Sequence, residues 1–227
     1  MHTLDEVVMR GETGATAIAV PGGARITYQN LRDQVEACAD ALASAGIRRG
    51  DRIALVLPNG IETIVMFIAA ATAGVASPLN PAYKESEFRF YLEDTGAKAL
   101  VVPRGGGEAA RKALPDGVVL LEASVDEAGQ VALEGGSMTF ARAAGPHDED
   151  EALVLHTSGT TSRPKLVPLR QRNLAFSAEN IARFYRLTPD DVAMCVMPLF
   201  HIHGLMASTM ATLSSGGLVV VPPKFDR

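Results

Sequence analysis

The sequence contains no tryptophan and only two cysteines among its 227 residues. Cys38 and Cys195 lie in apolar surroundings and have no C-x-x-C spacing, so the pattern does not predict a disulfide framework. Free thiols are typical of a reducing compartment, where cysteines are kept reduced. We therefore predict two buried, unpaired cysteines and a cytoplasmic protein.

An excess of basic residues is also missing. The chain has 21 Lys and Arg against 26 Asp and Glu, a net charge of −5 and a pI near 5.6. Without a basic surface, nucleic acid is not an expected partner. With 47% hydrophobic and 21% charged residues, the composition is that of a globular chain that can bury a sizeable core.

Long apolar runs are scarce. The first ten residues, MHTLDEVVMR, lack the basic start and apolar run of a secretory signal. Residues 63–79 carry no charge, but Gly74 and Pro78 interrupt the run, which is shorter than the roughly 20 residues of a spanning helix. We predict a buried helix followed by a short strand, and no membrane span.

Helical periodicity alternates with short apolar runs along the first 121 residues. A helix is predicted to begin at Thr27, capped by Thr27 together with Asn30, and Asn59 with Glu62 is predicted to cap the next one. Strands are predicted at 52–57, 75–79, 98–102 and 118–121, and helices at 61–73, 85–95 and 108–114. This alternation predicts an α/β fold with mostly parallel sheet layers and flanking helices.

The periodicity fades between residues 122 and 151, where glycines and a run of four acids stand. We predict a boundary there, with residues 1–150 as a first α/β subdomain and residues 151–227 as the start of a second. After it, a helix is predicted at 171–185 and strands at 192–196 and 217–221. The buried side of that helix is predicted to carry Leu174, Ile181, Phe184 and Tyr185.

The densest run of small hydroxyl residues is LHTSGTTSRPKLVPL, residues 155–169, which apolar runs flank on both sides. Glycine lets the backbone approach a ligand closely, hydroxyls donate to phosphate oxygens, and Lys165 supplies a mobile positive charge. The run does not fit the Walker pattern, since no Gly precedes Lys165 and no Ser or Thr follows it. Residues 157–165, called here the phosphate loop, are therefore predicted to cradle phosphates; an ordinary polar loop between two strands is the alternative.

Residues 157–165 closely resemble the phosphate-binding motif of the adenylate-forming enzymes, [ST]-[SG]-G-[ST]-[TS]-x-x-P-K-G. This superfamily comprises acyl-CoA synthetases, luciferases and peptide-synthetase adenylation domains. The sequence departs from the motif at Leu166, where the family usually has Gly. The form T-S-G-T-T-S-R-P-K is most similar to the oxalate–CoA ligase branch. Residues 26–31 and 71–81 resemble two further family motifs, and residues 71–81 are predicted to be scaffold.

The resemblance implies the first part of the family's large N-terminal domain. It also implies ATP and coenzyme A as substrates, with Mg²⁺ on the phosphates, and a small carboxylate that becomes an acyl-adenylate and then a thioester. Lys165 and Thr160 would be the catalytic residues. The phosphate-binding residues would be Thr157, Ser158, Gly159, Thr160, Thr161 and Lys165.

A second constellation is P-L-F-H-I-H-G-L, residues 198–205. One interpretation is a packed turn whose histidines bond to backbone. Another is a metal site of His201 and His203 with His156 or Cys195, although an H-x-H pair alone supplies too few ligands. The third rests on resemblance to the family motif P-L-F-H-x-x-G-L, which implies that His201 contacts the carboxylate substrate and Phe200 shapes its pocket. A histidine donor suits a small dicarboxylate such as oxalate better than a fatty chain.

Several family parts are missing from the sequence, among them the Y-G-x-T-E run and the C-terminal catalytic lysine. The chain is therefore expected to be a fragment of an acid–thiol ligase, inactive and weak in ATP binding by itself. Three alternatives stay open: a ligase for medium-chain, long-chain or aryl acids, a luciferase-like or peptide-synthetase activity, and a non-catalytic nucleotide-binding fragment. The sequence leaves the oligomeric state open.

Overall fold

A computed structural model of the chain describes residues 3–8, 10–136, 145–157 and 164–223. The helices are α1 (Leu4–Val8), α2 (Tyr28–Ser44), α3 (Ile61–Ala73), α4 (Glu85–Thr95), α5 (Glu108–Lys112), α6 (Gln171–Tyr185), a π-helix (His203–Met210) and α7 (Ala211–Ser214). The strands are β1 (Thr16–Ala19), β2 (Arg25–Thr27), β3 (Arg52–Leu55), β4 (Val75–Pro78), β5 (Ala99–Pro103), β6 (Val119–Val125), β7 (Val131–Glu134), β8 (Glu151–Thr157), β9 (Lys165–Arg170), β10 (Val192–Met194) and β11 (Leu218–Val220).

The larger sheet has seven strands in the order β7-β6-β5-β3-β4-β8-β9. Strands β6, β5, β3, β4 and β8 run parallel, while β7 and β9 pair antiparallel at the two edges. The smaller sheet has the order β10-β11-β1-β2 and is mixed. The prediction of mostly parallel sheet layers with flanking helices is therefore confirmed.

Both faces of the larger sheet are covered, as its alternating side chains require. Ile53 and Leu55 face the main core, which packs against α2 and α3, whereas Ala54 and Val56 face a second cluster with α4. Helix α3 is buried nearly all round, as its composition predicts. In the part of the chain that the structure describes, no helix is long and apolar enough to cross a membrane.

Local capping fixes the start of α2 as predicted. The Thr27 hydroxyl accepts from the Asn30 backbone N–H, and the Asn30 side chain accepts from the Thr27 N–H, both at 3.2 Å. The next residue, Tyr28, is fully buried, and its hydroxyl donates to the Gly217 carbonyl at 2.7 Å. The segment 26–31 thus ties α2 to the smaller sheet.

Three local predictions need comment. Both cysteines are free and buried, as predicted, and burial raises the pKa of Cys38 to about 11. Two side chains placed on the buried side of α6 are exposed instead, Phe184 by 80% and Tyr185 by 69%. The fading periodicity after residue 121 hides an antiparallel hairpin, since β6 continues to Val125 and pairs with β7. The larger sheet crosses residue 150, and the subdomain boundary there stays a prediction.

Candidate active site

The two ends of the phosphate loop form the end of an antiparallel hairpin. β8 finishes at Thr157 and β9 begins at Lys165, and these residues lie opposite each other in the ladder. Both are exposed, and the Thr157 hydroxyl lies 3.5 Å from the Lys165 carbonyl oxygen. The other predicted phosphate-binding residues, Ser158, Gly159, Thr160 and Thr161, lie outside the described residues. The structure thus brings Thr157 and Lys165 together at the mouth of the loop.

Leu166 occupies an ordinary strand position. It lies opposite His156 in the ladder between β8 and β9 and is half-buried. A residue paired within a regular strand does not need the conformational freedom of glycine. The departure from the family motif at this position is therefore compatible with the backbone.

The phosphate loop leaves the carboxyl edge of the larger sheet. Because β8, β4 and β3 are parallel neighbours, the residues following each of them emerge at that same edge. Pro58, Asn59 and Gly60 follow β3 there. Strands β4 and β5 lie on opposite sides of β3, so the strand order reverses at this point. Open α/β sheets bind ligands at the carboxyl edge where the order reverses.

Asn59 holds a distant segment at this edge. Its side-chain nitrogen donates to the Met197 carbonyl at 3.2 Å, and its side-chain oxygen accepts from the Leu199 N–H at 2.9 Å. The prediction that Asn59 caps α3 is wrong, because Gly60 is the N-cap and makes no side-chain cap bond. The amide instead satisfies a backbone donor and a backbone acceptor 138 and 140 residues away.

The segment held by Asn59 leads directly into Phe200 and His201. Their ring centroids lie 4.6 Å apart and the planes are tilted by 44°. His201 is exposed, and its backbone N–H donates to the Pro198 carbonyl at 3.1 Å. Asn59 therefore places the predicted carboxylate-binding histidine at the same edge of the sheet as the phosphate loop.

A π-helix begins two residues after His201, and it depends on close packing of Gly204. The backbone of Gly204 is buried against the Pro198 carbonyl, where a β-carbon would lie only 2.4 Å from the oxygen. The Thr209 hydroxyl donates to the Gly204 carbonyl at 2.7 Å. Short π-helical turns are frequent at functional sites, because they re-aim the residues around them.

Two of the possible metal ligands, Cys195 and His156, have other polar contacts. Cys195 is fully buried, with the hydroxyls of Ser208 and Thr209 3.4 and 3.5 Å from its sulfur. The His156 Nε2 lies 2.9 Å from a carboxylate oxygen of Asp94. Across residues 3–8, 10–136, 145–157 and 164–223, no group of three or more His, Cys, Asp and Glu side chains could hold a metal ion.

A cavity of about 570 Å³ lies beside Asn59 at the carboxyl edge. Acidic side chains line it, namely Glu62, Asp126 and Glu127. Burial raises the pKa of the Glu62 carboxyl above its ordinary value. An acidic wall repels anions, so neither a phosphate nor a small dicarboxylate is assigned to this cavity.

Replacing Asn59 with alanine is expected to lower the free energy of unfolding by about 1–2 kcal/mol, since it removes the Asn59 acceptor from the Leu199 N–H and the Asn59 donor from the Met197 carbonyl. Urea unfolding measures the loss, and amide exchange at Leu199 locates it. Asn80→Ala is the matched control, because in the described part of the chain the Asn80 side chain accepts a local bond from the Ala82 N–H. Wild-type amide exchange at Leu199 in Asn59→Ala would contradict the assignment.

Comparison with known proteins adds independent findings. The AMP-binding enzyme family matches residues 5–227. An oxalate–CoA ligase of Arabidopsis thaliana is 42% identical over 214 residues, covering 91% of this chain and 42% of that protein. An oxalate–CoA ligase of Saccharomyces cerevisiae is 38% identical over 205 residues, covering 78% of this chain and 38% of that protein.

The fold also matches solved structures. ATP-bound MatB from Rhodopseudomonas palustris aligns with a TM-score of 0.82 at 29% identity, covering 100% of this chain and 46% of that chain. Similar proteins also include ligases named for other acids, sulfoacetate in Cupriavidus necator and long-chain fatty acids in Mycobacterium tuberculosis. The chain thus spans less than half the length of the two oxalate–CoA ligases and of MatB.

Proposed function

The chain belongs to the AMP-binding enzyme family, and on this premise we propose that it supplies the phosphate loop and part of the carboxylate pocket of an ATP-dependent acid–thiol ligase. The favoured substrate is a small dicarboxylate such as oxalate, joined to coenzyme A. Since the chain spans 42% and 38% of the two oxalate–CoA ligases, the complete reaction is assigned to a protein of their length. The chain alone is proposed to be inactive.

One observation carries the proposal. The end of the phosphate loop at Lys165 and the segment leading to His201 both lie at the carboxyl edge of the larger sheet, the second held there by Asn59. Adenylation needs a carboxylate beside the α-phosphate of ATP, so the two binding elements must meet. Joining the reactants in one site removes much of the entropic part of the barrier.

The first half-reaction forms a mixed anhydride. A carboxylate oxygen attacks the α-phosphorus of ATP, and the bond to pyrophosphate breaks. Thr157 and the loop residues Ser158, Gly159, Thr160 and Thr161 are proposed to hold the β- and γ-phosphates, and the Lys165 ammonium to stabilise the charge that grows on the leaving pyrophosphate. His201 is proposed to donate an N–H to the substrate carboxylate while Phe200 closes the side of its pocket.

The second half-reaction makes the thioester. The coenzyme A thiolate attacks the acyl carbon, and AMP leaves with the former carboxylate oxygen. Mg²⁺ is proposed to bind to the phosphates of ATP. Bound in that way, Mg²⁺ would neutralise charge on the departing pyrophosphate.

Substrate preference rests on the site and on similarity. His201 and His203 are both exposed near Phe200, and imidazole donors match the oxygens of a short dicarboxylate. Two of the similar proteins are named as oxalate–CoA ligases. Another similar protein is named as a long-chain-fatty-acid–CoA ligase, so long-chain fatty acids are the alternative substrates.

The test is pyrophosphate release by the protein as its gene encodes it, supplied with ATP, Mg²⁺, coenzyme A and one acid at a time. Oxalate is expected to give the highest kcat/KM, above octanoate, palmitate and benzoate. Turnover with octanoate or palmitate but not with oxalate would move the protein to the fatty-acid alternative. Release with none of the acids, together with tight ATP binding in calorimetry, would favour a non-catalytic nucleotide-binding role.

A further inference from the structure

His156 is a buried histidine at the base of the phosphate loop, one residue before Thr157. Its side chain is only 6% exposed, and its Nε2 lies 2.9 Å from a carboxylate oxygen of Asp94. Asp94 stands in the last turn of α4, 62 positions earlier in the chain. The contact therefore joins the carboxyl end of β8 to a helix on one face of the larger sheet.

Aromatic rings hold the imidazole from the side. Tyr91, one turn before Asp94 on α4, meets the His156 ring edge-on with centroids 4.7 Å apart. Tyr83 stacks on Tyr91 at 4.8 Å. Helix α4 is itself fixed to the sheet by the buried side chains of Phe88 and Leu92. The Asp94 bond and the Tyr91 ring thus hold the His156 ring against α4.

The other ring nitrogen, Nδ1, makes no hydrogen bond like the one between Nε2 and Asp94 among the described residues. The His156 Nδ1 is buried and has no hydrogen-bond partner among the described atoms. A buried polar atom without a partner costs about 1–3 kcal/mol, so an apolar side chain would pack at this position at lower cost. The bond to Asp94 must therefore provide something that packing alone does not.

The hairpin that carries the loop needs an additional tether. β9 is an edge strand, so it has a hydrogen-bonded neighbour on one side only, and that neighbour is β8. The described register between β8 and β4 pairs Leu153 with Ala76, three residues before His156. The last residues of β8 thus lie beyond the described β4 pairing and beside an edge strand.

We propose that His156 is a positioning residue that fixes the first residue of the phosphate loop through its bond to Asp94. The effect on ATP rests on the proposed function, whereas the effect on the hairpin does not. Substituting His156 frees the end of β8, so Thr157 and Lys165 lose their fixed spacing and the loop holds the phosphates less well. The carboxylate segment, which Asn59 holds independently, is left in place.

The experiment compares His156→Ala, His156→Gln and Asp94→Ala in the protein as its gene encodes it. His156→Ala and Asp94→Ala are each expected to raise KM for ATP about tenfold, as misplacement of binding groups does, with KM for the carboxylate within about twofold of wild type. The double substitution is expected to cost no more than either single one, because both remove the same bond. His156→Gln, whose amide nitrogen can take the place of Nε2, is expected to recover most of the ATP affinity.

Glu85→Gln is the matched control, because it breaks the exposed Glu85–Arg89 pair on the same helix without touching His156. Amide exchange at residues 155–157 and 165–167 is measured on the same variants and requires no turnover. Faster amide exchange in His156→Ala than in Glu85→Gln, with recovery in His156→Gln, supports the positioning role of His156. Unchanged exchange, or equal rises in KM for ATP and for the carboxylate, overturns it. If wild-type protein turns over no acid, the proposed function fails while the exchange measurement still decides the role of His156.

Discussion

Replacing Lys165 with alanine is expected to slow acyl-adenylate formation on the order of 100-fold, the cost typical of removing one preorganised donor to a developing charge. Lys165 is exposed at the first position of β9, so its loss removes little packing. Surface changes of this kind usually alter the free energy of unfolding by less than about 0.5 kcal/mol. Single-turnover release of pyrophosphate at saturating ATP measures the chemical step apart from binding.

A second exposed lysine at the larger sheet, Lys98, is the control for the Lys165 substitution. Lys98 is also exposed, but it precedes β5 and lies at the opposite, amino edge of the sheet. Lys98→Ala is expected to leave the single-turnover rate unchanged. Lys165→Arg keeps the charge but not the compact ammonium, so a partial loss is expected. A wild-type rate in Lys165→Ala would remove the catalytic role assigned to this residue.

Local chemistry explains which parts of the fold the sequence predicts. The cap of α2 lies within four residues, and the predicted helix at 171–185 coincides with α6. The β6–β7 hairpin was missed because Gly129, at its turn with φ +85°, and the glycines at its end resemble a linker when the strands between them are short. The prediction of which α6 side chains are buried is wrong for another reason. Periodicity places Phe184 and Tyr185 on the apolar stripe of the helix, but no part of the described chain covers its last turn.

The site shows the same division between local and distant contacts. The residue types of the phosphate loop and of Phe200–His201 are readable from the sequence, because a charge or a hydroxyl at a given spacing has direct chemical meaning. The roles of Asn59 and His156 cannot be read from the sequence, since the partners of Asn59 lie 138 and 140 residues away and that of His156 lies 62 residues away. Asn59 also precedes a helix with Glu62 three residues on, which makes a capping role the natural local interpretation. Only the tertiary structure reveals that the amide binds another segment.

Replacing Gly204 with alanine is expected to destabilise the protein by about 2 kcal/mol or more, in the range measured for overpacked cores. The new β-carbon would lie 2.4 Å from the Pro198 carbonyl oxygen and 2.8 Å from that of Met197. Both contacts are to backbone, and the Met197 carbonyl is further held by Asn59. A shift of this turn would also move Phe200 and His201, so KM for the carboxylate is expected to rise more than KM for ATP. Urea unfolding and the two KM values measure both effects.

Gly14 supplies the matched comparison, because a β-carbon there meets nothing within 4 Å. Gly14→Ala is expected to change the free energy of unfolding by less than about 0.5 kcal/mol, as at an ordinary surface position. The cause of the Gly204 effect can be tested further in a double-mutant cycle with Asn59→Ala. If the Asn59 amide is what prevents the Met197 carbonyl from yielding, Gly204→Ala costs less when Asn59 is already alanine. Equal costs in both backgrounds would mean that the turn is rigid without the amide, and that the Pro198 carbonyl alone excludes a side chain at residue 204.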